Sequence, residues 1–78
     1  MNSENTKAFL TYDLAQAAFL LCMRHPLRGL EGNGRKAFVF DASARADADN
    51  FYANAPVGAL DFAAALRQVK ARLYNGAG

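Results

Sequence analysis

The sequence predicts a small α+β domain in which a helix, a β-hairpin and two further helices follow one another (αββαα). Three observations predict it. An almost wholly apolar run spans residues 14–23, two short segments, residues 27–31 and 35–41, flank Gly32-Asn33-Gly34, and the C-terminal part carries an apolar stripe at helical spacing. The chain has 78 residues, which is enough for one hydrophobic core but not for two.

The apolar run predicts the first helix. Thr11 is expected as its N-cap, and Asp13 falls in the first turn, where a carboxylate complements the helix dipole. Only Gln16 interrupts the apolar surface, so the helix is expected at the centre of the domain or in an oligomer interface. Pro26 is expected to end it, because the residue before a proline is pushed out of the helical region.

The hairpin is predicted from residues 27–31 and 35–41, with a tight turn at Asn33-Gly34 or, in an alternative register, at Gly32-Asn33. In its second strand Phe38 and Phe40 fall on one face. Two strands are marginally stable in water, so the hairpin is expected to pack on helices.

Two helices complete the prediction. The first is expected over residues 44–53, with Asn54 as a left-handed terminator. The second is expected from residue 58 or 59 to residue 74, and its core-facing stripe contains Phe62, Leu66, Val69 and Leu73. Residues 1–8 are interpreted as a flexible arm, residues 9–74 as the domain and residues 75–78 as a disordered end.

The sequence predicts a cytoplasmic protein. The N-terminal residues lack the pattern of a secretory signal, and the apolar run is about half the ~20 residues that a membrane-spanning helix needs. The aromatic residues are six phenylalanines and three tyrosines, and they are expected to supply most of the buried bulk. A chain this short buries only about 60 to 65% of its unfolded surface, so a homo-oligomer is expected.

Several short segments resemble a known family. They are Tyr12-Asp13-Leu14, Gly29-Leu30-Glu31, Gly34-Arg35, Phe38-Val39-Phe40, Phe51-Tyr52, Phe62-Ala63 and Ala65-Leu66-Arg67. Together they resemble a family of short bacterial and mobile-element proteins that is catalogued as a domain of unknown function. The resemblance implies the fold and supplies no activity. At two positions where a glycine is expected to close a helix, this chain has Asn54 and His25-Pro26.

No catalytic residue, cofactor site or metal site is predicted. Cys22 and His25 are three residues apart and form a conceivable dyad, but Cys22 lies on an apolar stripe, which favours a buried, inert thiol. As a zinc site the pair supplies two of four ligands and needs a symmetric partner chain. The chain is therefore expected not to be an enzyme.

A basic rim is the clearest polar feature. It consists of Arg24, Arg28, Arg35 and Lys36, and Phe38 and Phe40 lie close to it in the sequence. Such a rim suits phosphate contacts with base stacking, which makes an accessory nucleic-acid-binding protein the alternative function. A solvated hairpin edge kept basic against aggregation accounts for the same charges.

The leading hypothesis is a non-catalytic module that acts through protein–protein contacts. It follows from an excess of apolar helix surface in a chain too small to cover it. The predicted interface residues are Leu14, Ala18, Leu21, Phe38 and Phe40. The protein partner is not identified by the sequence.

Overall fold

The computed structural model describes residues 8–76, which form a three-stranded antiparallel sheet and three α-helices. In chain order the elements are β1 (Ala8–Thr11), α1 (Leu14–Cys22), β2 (Gly29–Glu31), β3 (Ala37–Asp41), α2 (Arg45–Tyr52) and α3 (Ala59–Gly76). A short 3₁₀ turn, Ala42–Ala44, precedes α2. The predicted α+β class, with a helix, a hairpin and two helices in order, is confirmed.

The boundaries of the predicted domain shift at both ends. The predicted arm includes Ala8, which the structure places in β1, and α3 continues through residues 75–76, where a disordered end is predicted. The rest of the arm, residues 1–7, and the end of the chain, residues 77–78, lie outside the described residues.

Strand β1 is an element that the sequence analysis does not predict. The sheet order is β1-β3-β2, so the second strand of the hairpin lies in the centre. Phe9 pairs with Phe40 and Thr11 with Phe38 in an antiparallel ladder. Because directly opposed residues share a face of the sheet, Phe9 joins Phe38 and Phe40 on the face that packs against the helices.

Because β1 precedes it, helix α1 begins two residues later than predicted. Asp13, with an extended backbone, is the N-cap, and its Oδ1 accepts hydrogen bonds from the amides of Ala15 at 3.0 Å and Gln16 at 3.1 Å. The predicted N-cap, Thr11, is the last residue of β1, and its Oγ1 accepts from the Asp13 amide at 3.0 Å. The prediction is wrong because Thr11 is held in the ladder and cannot turn into the helix.

The hairpin loop is longer than predicted. Glu31 and Ala37 are the last paired residues, so residues 32–36 form a five-residue loop. The positive φ that a tight turn requires occurs at Gly32, at 121°, and not at Asn33-Gly34. A Cβ at Gly32 would lie 2.5 Å from the Arg35 carbonyl oxygen, so this position requires glycine.

Helices α1 and α2 end in the same way. Arg24 has φ 72° and Asn54 has φ 63°, and each follows the C-cap residue of its helix. The next amide, from His25 or Ala55, donates to the carbonyl five residues earlier, at 3.0 and 3.1 Å respectively. This is the Schellman arrangement. The predicted role of Asn54 is confirmed, whereas α1 ends at Cys22, before the left-handed Arg24, and does not extend to Pro26.

Because Arg24 adopts a conformation that favours glycine, Arg24→Gly is expected to stabilise the fold. The relief of left-handed strain stabilises the folded chain by about 1 kcal/mol. The greater conformational freedom of glycine in the unfolded chain offsets part of this gain, so the free energy of unfolding should rise by about 0.5 kcal/mol. The melting temperature should rise by roughly 2 to 4 °C in a thermal melt. Asn54→Gly should change it less, because asparagine tolerates this conformation. A lower melting temperature for Arg24→Gly would contradict the interpretation.

The core lies between the sheet and the helices, with α1 at its centre. Ala17, Ala18, Phe19 and Leu20 of α1 are all buried, as predicted for a helix covered on more than one face. Phe38 and Phe40 pack against it from the sheet, and Val69 from α3. Gln16, which interrupts the apolar run, is 4% exposed, and its Nε2 donates to the Ala48 carbonyl at 3.1 Å, tying α1 to α2.

The prediction that tyrosines supply buried bulk is wrong. Tyr12, Tyr52 and Tyr74 are 52%, 67% and 74% exposed. Tyr52 has a structural partner, because its hydroxyl donates to Asp13 Oδ2 at 3.0 Å. That hydrogen bond raises the pKa of Tyr52 above its ordinary value. The other two tyrosines, Tyr12 and Tyr74, line one surface cleft.

Candidate functional site

Arg28 forms an ion pair at one end of the hairpin. Its Nε and Nη2 donate to the two carboxylate oxygens of Asp41 at 3.1 and 2.8 Å. These hydrogen bonds hold the pKa of Asp41 below its ordinary value, so the carboxylate stays charged and neutralises the guanidinium. Asp41 is the last residue of β3, whereas Arg35 and Lys36 lie in the hairpin loop just before the first residue of that strand. Arg28, which is paired with Asp41, therefore lies about one strand length from Arg35 and Lys36.

Arg35 and Lys36 lie together in the hairpin loop, and we call them the loop pair. The Arg35 guanidinium carbon lies 4.5 Å from the centroid of the Tyr12 ring, which is a cation–π contact. Lys36 Nζ donates to the Gly32 carbonyl at 2.8 Å. Tyr12 therefore holds the charge of Arg35 in place, and the loop carbonyl of Gly32 holds that of Lys36.

Arg24, the remaining residue of the predicted rim, lies elsewhere. Together with Cys22 of α1 and Asp61 of α3 it lines a separate polar depression of about 340 Å³. The four basic residues therefore occupy three places on the molecule and do not form one continuous surface. The aromatic part of the rim is wrong as well, because Phe38 and Phe40 are 2% and 0% exposed and cannot stack on bases.

The five predicted interface residues fall into two groups, one buried in the core and one half-buried. Ala18, Phe38 and Phe40 belong to the core of the domain, so the prediction that they form an interface is corrected. The apolar excess that suggested an interface is largely covered by β1 and α3, which pack on α1 and the hairpin. Leu14 and Leu21 are half-buried and retain accessible surface.

The structure brings the loop pair and Leu14 together in an open cleft of about 440 Å³, which we call the tyrosine cleft. Residues from four elements meet there. They are Tyr12 and Leu14 from the β1–α1 junction, Gly34, Arg35 and Lys36 from the hairpin loop, Phe38 from β3, and Leu73 and Tyr74 from α3. The volume lies within the range of ligand sites, roughly 300 to 1,000 Å³.

The tyrosine cleft combines an apolar lining with a positive edge. Leu14, Leu73 and the two tyrosine rings supply apolar surface, whereas Arg35 and Lys36 supply two positive charges. None of the side chains that line it is a carboxylate. The cleft therefore favours a ligand that carries both an apolar group and a negative charge.

Tyr12 and Tyr74 are site residues that the sequence patterns do not predict. The patterns place Tyr12 at the helix start and Tyr74 at the end of a core-facing helix. The available signal was helical spacing, because Tyr74 does not fall on the stripe of Leu66, Val69 and Leu73. That spacing indicates exposure, but it does not indicate which element lies beside the exposed ring.

Cys22 and His25 face different helices. Burial, with a smaller effect of Asp61, raises the pKa of the Cys22 thiol, whereas an activated cysteine needs a lowered pKa. His25 Nε2 donates to Asp47 Oδ2 of α2 at 2.7 Å. This arrangement favours the structural interpretation of Cys22.

The His25–Asp47 contact predicts a pH dependence. The hydrogen bond from His25, with a smaller contribution from Asn50, lowers the pKa of Asp47 from its ordinary value of 3.8. A lowered pKa means that the stabilisation is complete above the ordinary value and is lost as the pH falls through the folded value. The difference in unfolding free energy between wild type and Asp47→Asn should therefore shrink as the pH falls below about 5. Urea unfolding at each pH measures it, and a constant difference contradicts the assignment.

Among residues 8–76 no group of three or more His, Cys, Asp or Glu side chains is placed to hold a metal ion. In the same part of the chain, no helix is both long enough and apolar enough to cross a membrane.

Comparison with known proteins adds no relative. No family model matches the chain, and searches of the curated proteins and of the solved structures returned no significant match. The family resemblance seen in the sequence stays a prediction. Function is therefore inferred from the geometry and charge of the chain's own residues.

Proposed function

We propose that this chain is a small, non-catalytic module that binds another protein through the tyrosine cleft. The observation that carries the proposal is the convergence of two exposed tyrosines, two leucines and two cations in one concave site. Tyrosine and arginine are the residue types that dominate binding energy at protein interfaces, because they combine a large apolar surface with polar contacts.

The surroundings of the cleft support a docking role. Tyr52, the other tyrosine, is tied to the N-cap Asp13, whereas Tyr12 and Tyr74 lie at the cleft with about half or more of their surface exposed. The cleft also joins residues that the sequence assigned to two separate hypotheses, Leu14 to an interface and the loop pair to a basic rim. A homo-oligomeric state and a cytoplasmic location remain expectations from the sequence.

Affinity capture with matched variants tests the proposal. Tagged wild-type protein is compared with Tyr12→Ser/Tyr74→Ser and with the control Leu60→Ser, which removes a side chain that is 86% exposed and outside the cleft lining. We expect the proteins that wild type and the control capture to be lost from the double variant. Thermal melts confirm that all three fold. Capture of the same proteins by the double variant contradicts the proposal.

A further inference from the structure

We propose that the segment recognised by the tyrosine cleft is acidic, with an aspartate or glutamate next to a bulky apolar residue of the partner protein. This inference rests on the proposed function and adds the chemistry of the partner. In it, the apolar residue enters between Leu14 and Leu73, and the neighbouring carboxylate meets the loop pair.

Arg35 is prepared to receive a carboxylate. Its guanidinium carbon lies 4.5 Å from the centroid of the Tyr12 ring, and this cation–π contact holds the group at the cleft. The N–H donors of a guanidinium form a fixed fork that suits a bidentate contact with a carboxylate. Among residues 8–76, no carboxylate lies within ion-pair distance of Arg35. Its contact with Tyr12 also lowers the entropy lost when the complex forms.

Lys36 adds a second donor at the same edge. Its Nζ donates one hydrogen bond to the Gly32 carbonyl at 2.8 Å. An ammonium group has three hydrogens, so two remain for a ligand. The glycine at position 32 is required by its φ of 121°, which fixes the carbonyl that holds Lys36.

Helix α3 extends the positive field. Lys70 is exposed and lies four residues before Tyr74, so the two side chains share a face of the helix. Lys70 therefore adds a third positive charge close to Tyr74. A segment with more than one carboxylate is therefore favoured over a segment with a single one.

The charges favour an acidic peptide over a nucleic acid. A nucleic-acid strand needs a row of cations that follows its phosphates. In this chain Arg28 is neutralised by Asp41 at the far end of the hairpin, and Arg24 lies in a separate depression. The cleft lining also includes two leucines, Leu14 and Leu73, which suit contact with a leucine or phenylalanine side chain of a peptide.

Titration of synthetic peptides, followed by amide NMR spectra, tests the inference. The probe is acetylated and amidated Gly-Ser-Asp-Glu-Phe-Leu-Ser-Gly, and its neutral counterpart replaces Asp-Glu by Asn-Gln. We expect the acidic probe to shift the amides of Gly34 and Leu73, and to bind about tenfold more tightly than the neutral probe, as the loss of one charge-assisted hydrogen bond implies. Arg35→Gln/Lys36→Gln should abolish this preference. Arg28→Gln, the matched control with its charge already paired, should preserve it.

Each other outcome has a distinct meaning. Equal binding of the two peptides at the cleft overturns the acidic preference and leaves the docking function in place. Tighter binding of oligothymidylate, lost in Arg35→Gln/Lys36→Gln, overturns the inference in favour of a nucleic acid. Absence of peptide-induced shifts at Gly34 and Leu73 also overturns it, and the capture experiment with the tyrosine variants then decides separately whether the cleft binds protein.

Discussion

Glutamate in place of Ala18 is expected to abolish folding at neutral pH. Ala18 is 0% exposed at the centre of α1 and packs within the core cluster. An unpaired carboxylate buried there costs several kcal/mol, and the larger side chain also overpacks the site. A domain of this size has a total stability of about 4 to 12 kcal/mol, so this single change removes most or all of it. Circular dichroism and amide NMR spectra measure the loss.

The same substitution distinguishes a core from an interface. Ala46→Glu is the matched control, because Ala46 is an exposed alanine on α2 and should accept glutamate without loss of the fold. If Ala18→Glu gives a folded protein whose only change is a smaller oligomer, Ala18 lies at an interface and its assignment to the core is contradicted.

Phe40→Ala is expected to lower the free energy of unfolding by about 3 to 5 kcal/mol. Phe40 is 0% exposed on the central strand and faces α1, with Phe9 beside it in the ladder. Removal of its ring leaves a cavity that the rigid sheet cannot close, which adds to the lost transfer free energy. Urea unfolding measures the change.

Phe62→Ala provides the comparison. Phe62 is a half-buried phenylalanine on α3 that packs at the margin of the core. Its truncation should cost less, about 1 to 3 kcal/mol, because the ring is only partly removed from water when the chain folds. Equal costs for Phe40→Ala and Phe62→Ala contradict the placement of Phe40 at the centre of the core.

The sequence was sufficient for the elements whose signals are local. The apolar run gave α1, the stripe ending at Leu73 gave α3, and Asn54 marked the end of α2. Strand β1 was missed because four residues, Ala8–Thr11, give too short an alternation to stand out from a flexible arm. Its pairing with β3 is a long-range contact that no local pattern reports. The error in the N-cap of α1 followed directly from the missing strand.

The candidate site was only partly predictable, for a related reason. The sequence points to Arg35, Lys36 and Leu14, but it assigns the two cations to a basic rim and Leu14 to an interface, whereas all three line one cleft. Their convergence depends on the last turns of α3 lying beside the hairpin loop, which is a property of tertiary packing. The neutralisation of Arg28 depends on the register that places Asp41 next to it, and the turn residues alone suggested a shorter loop than the five residues present.

The most direct measurement of the central claim is site-specific photocrosslinking in cells. A benzophenone amino acid is introduced in place of Tyr74, in the cleft, and separately in place of Leu60, which is 86% exposed outside it. We expect a discrete crosslinked protein from the Tyr74 site that is absent from the Leu60 site and is lost when Arg35 and Lys36 are changed to glutamine. Identical crosslinks from both sites, or crosslinks from the Leu60 site alone, would contradict the claim that the tyrosine cleft is the binding surface.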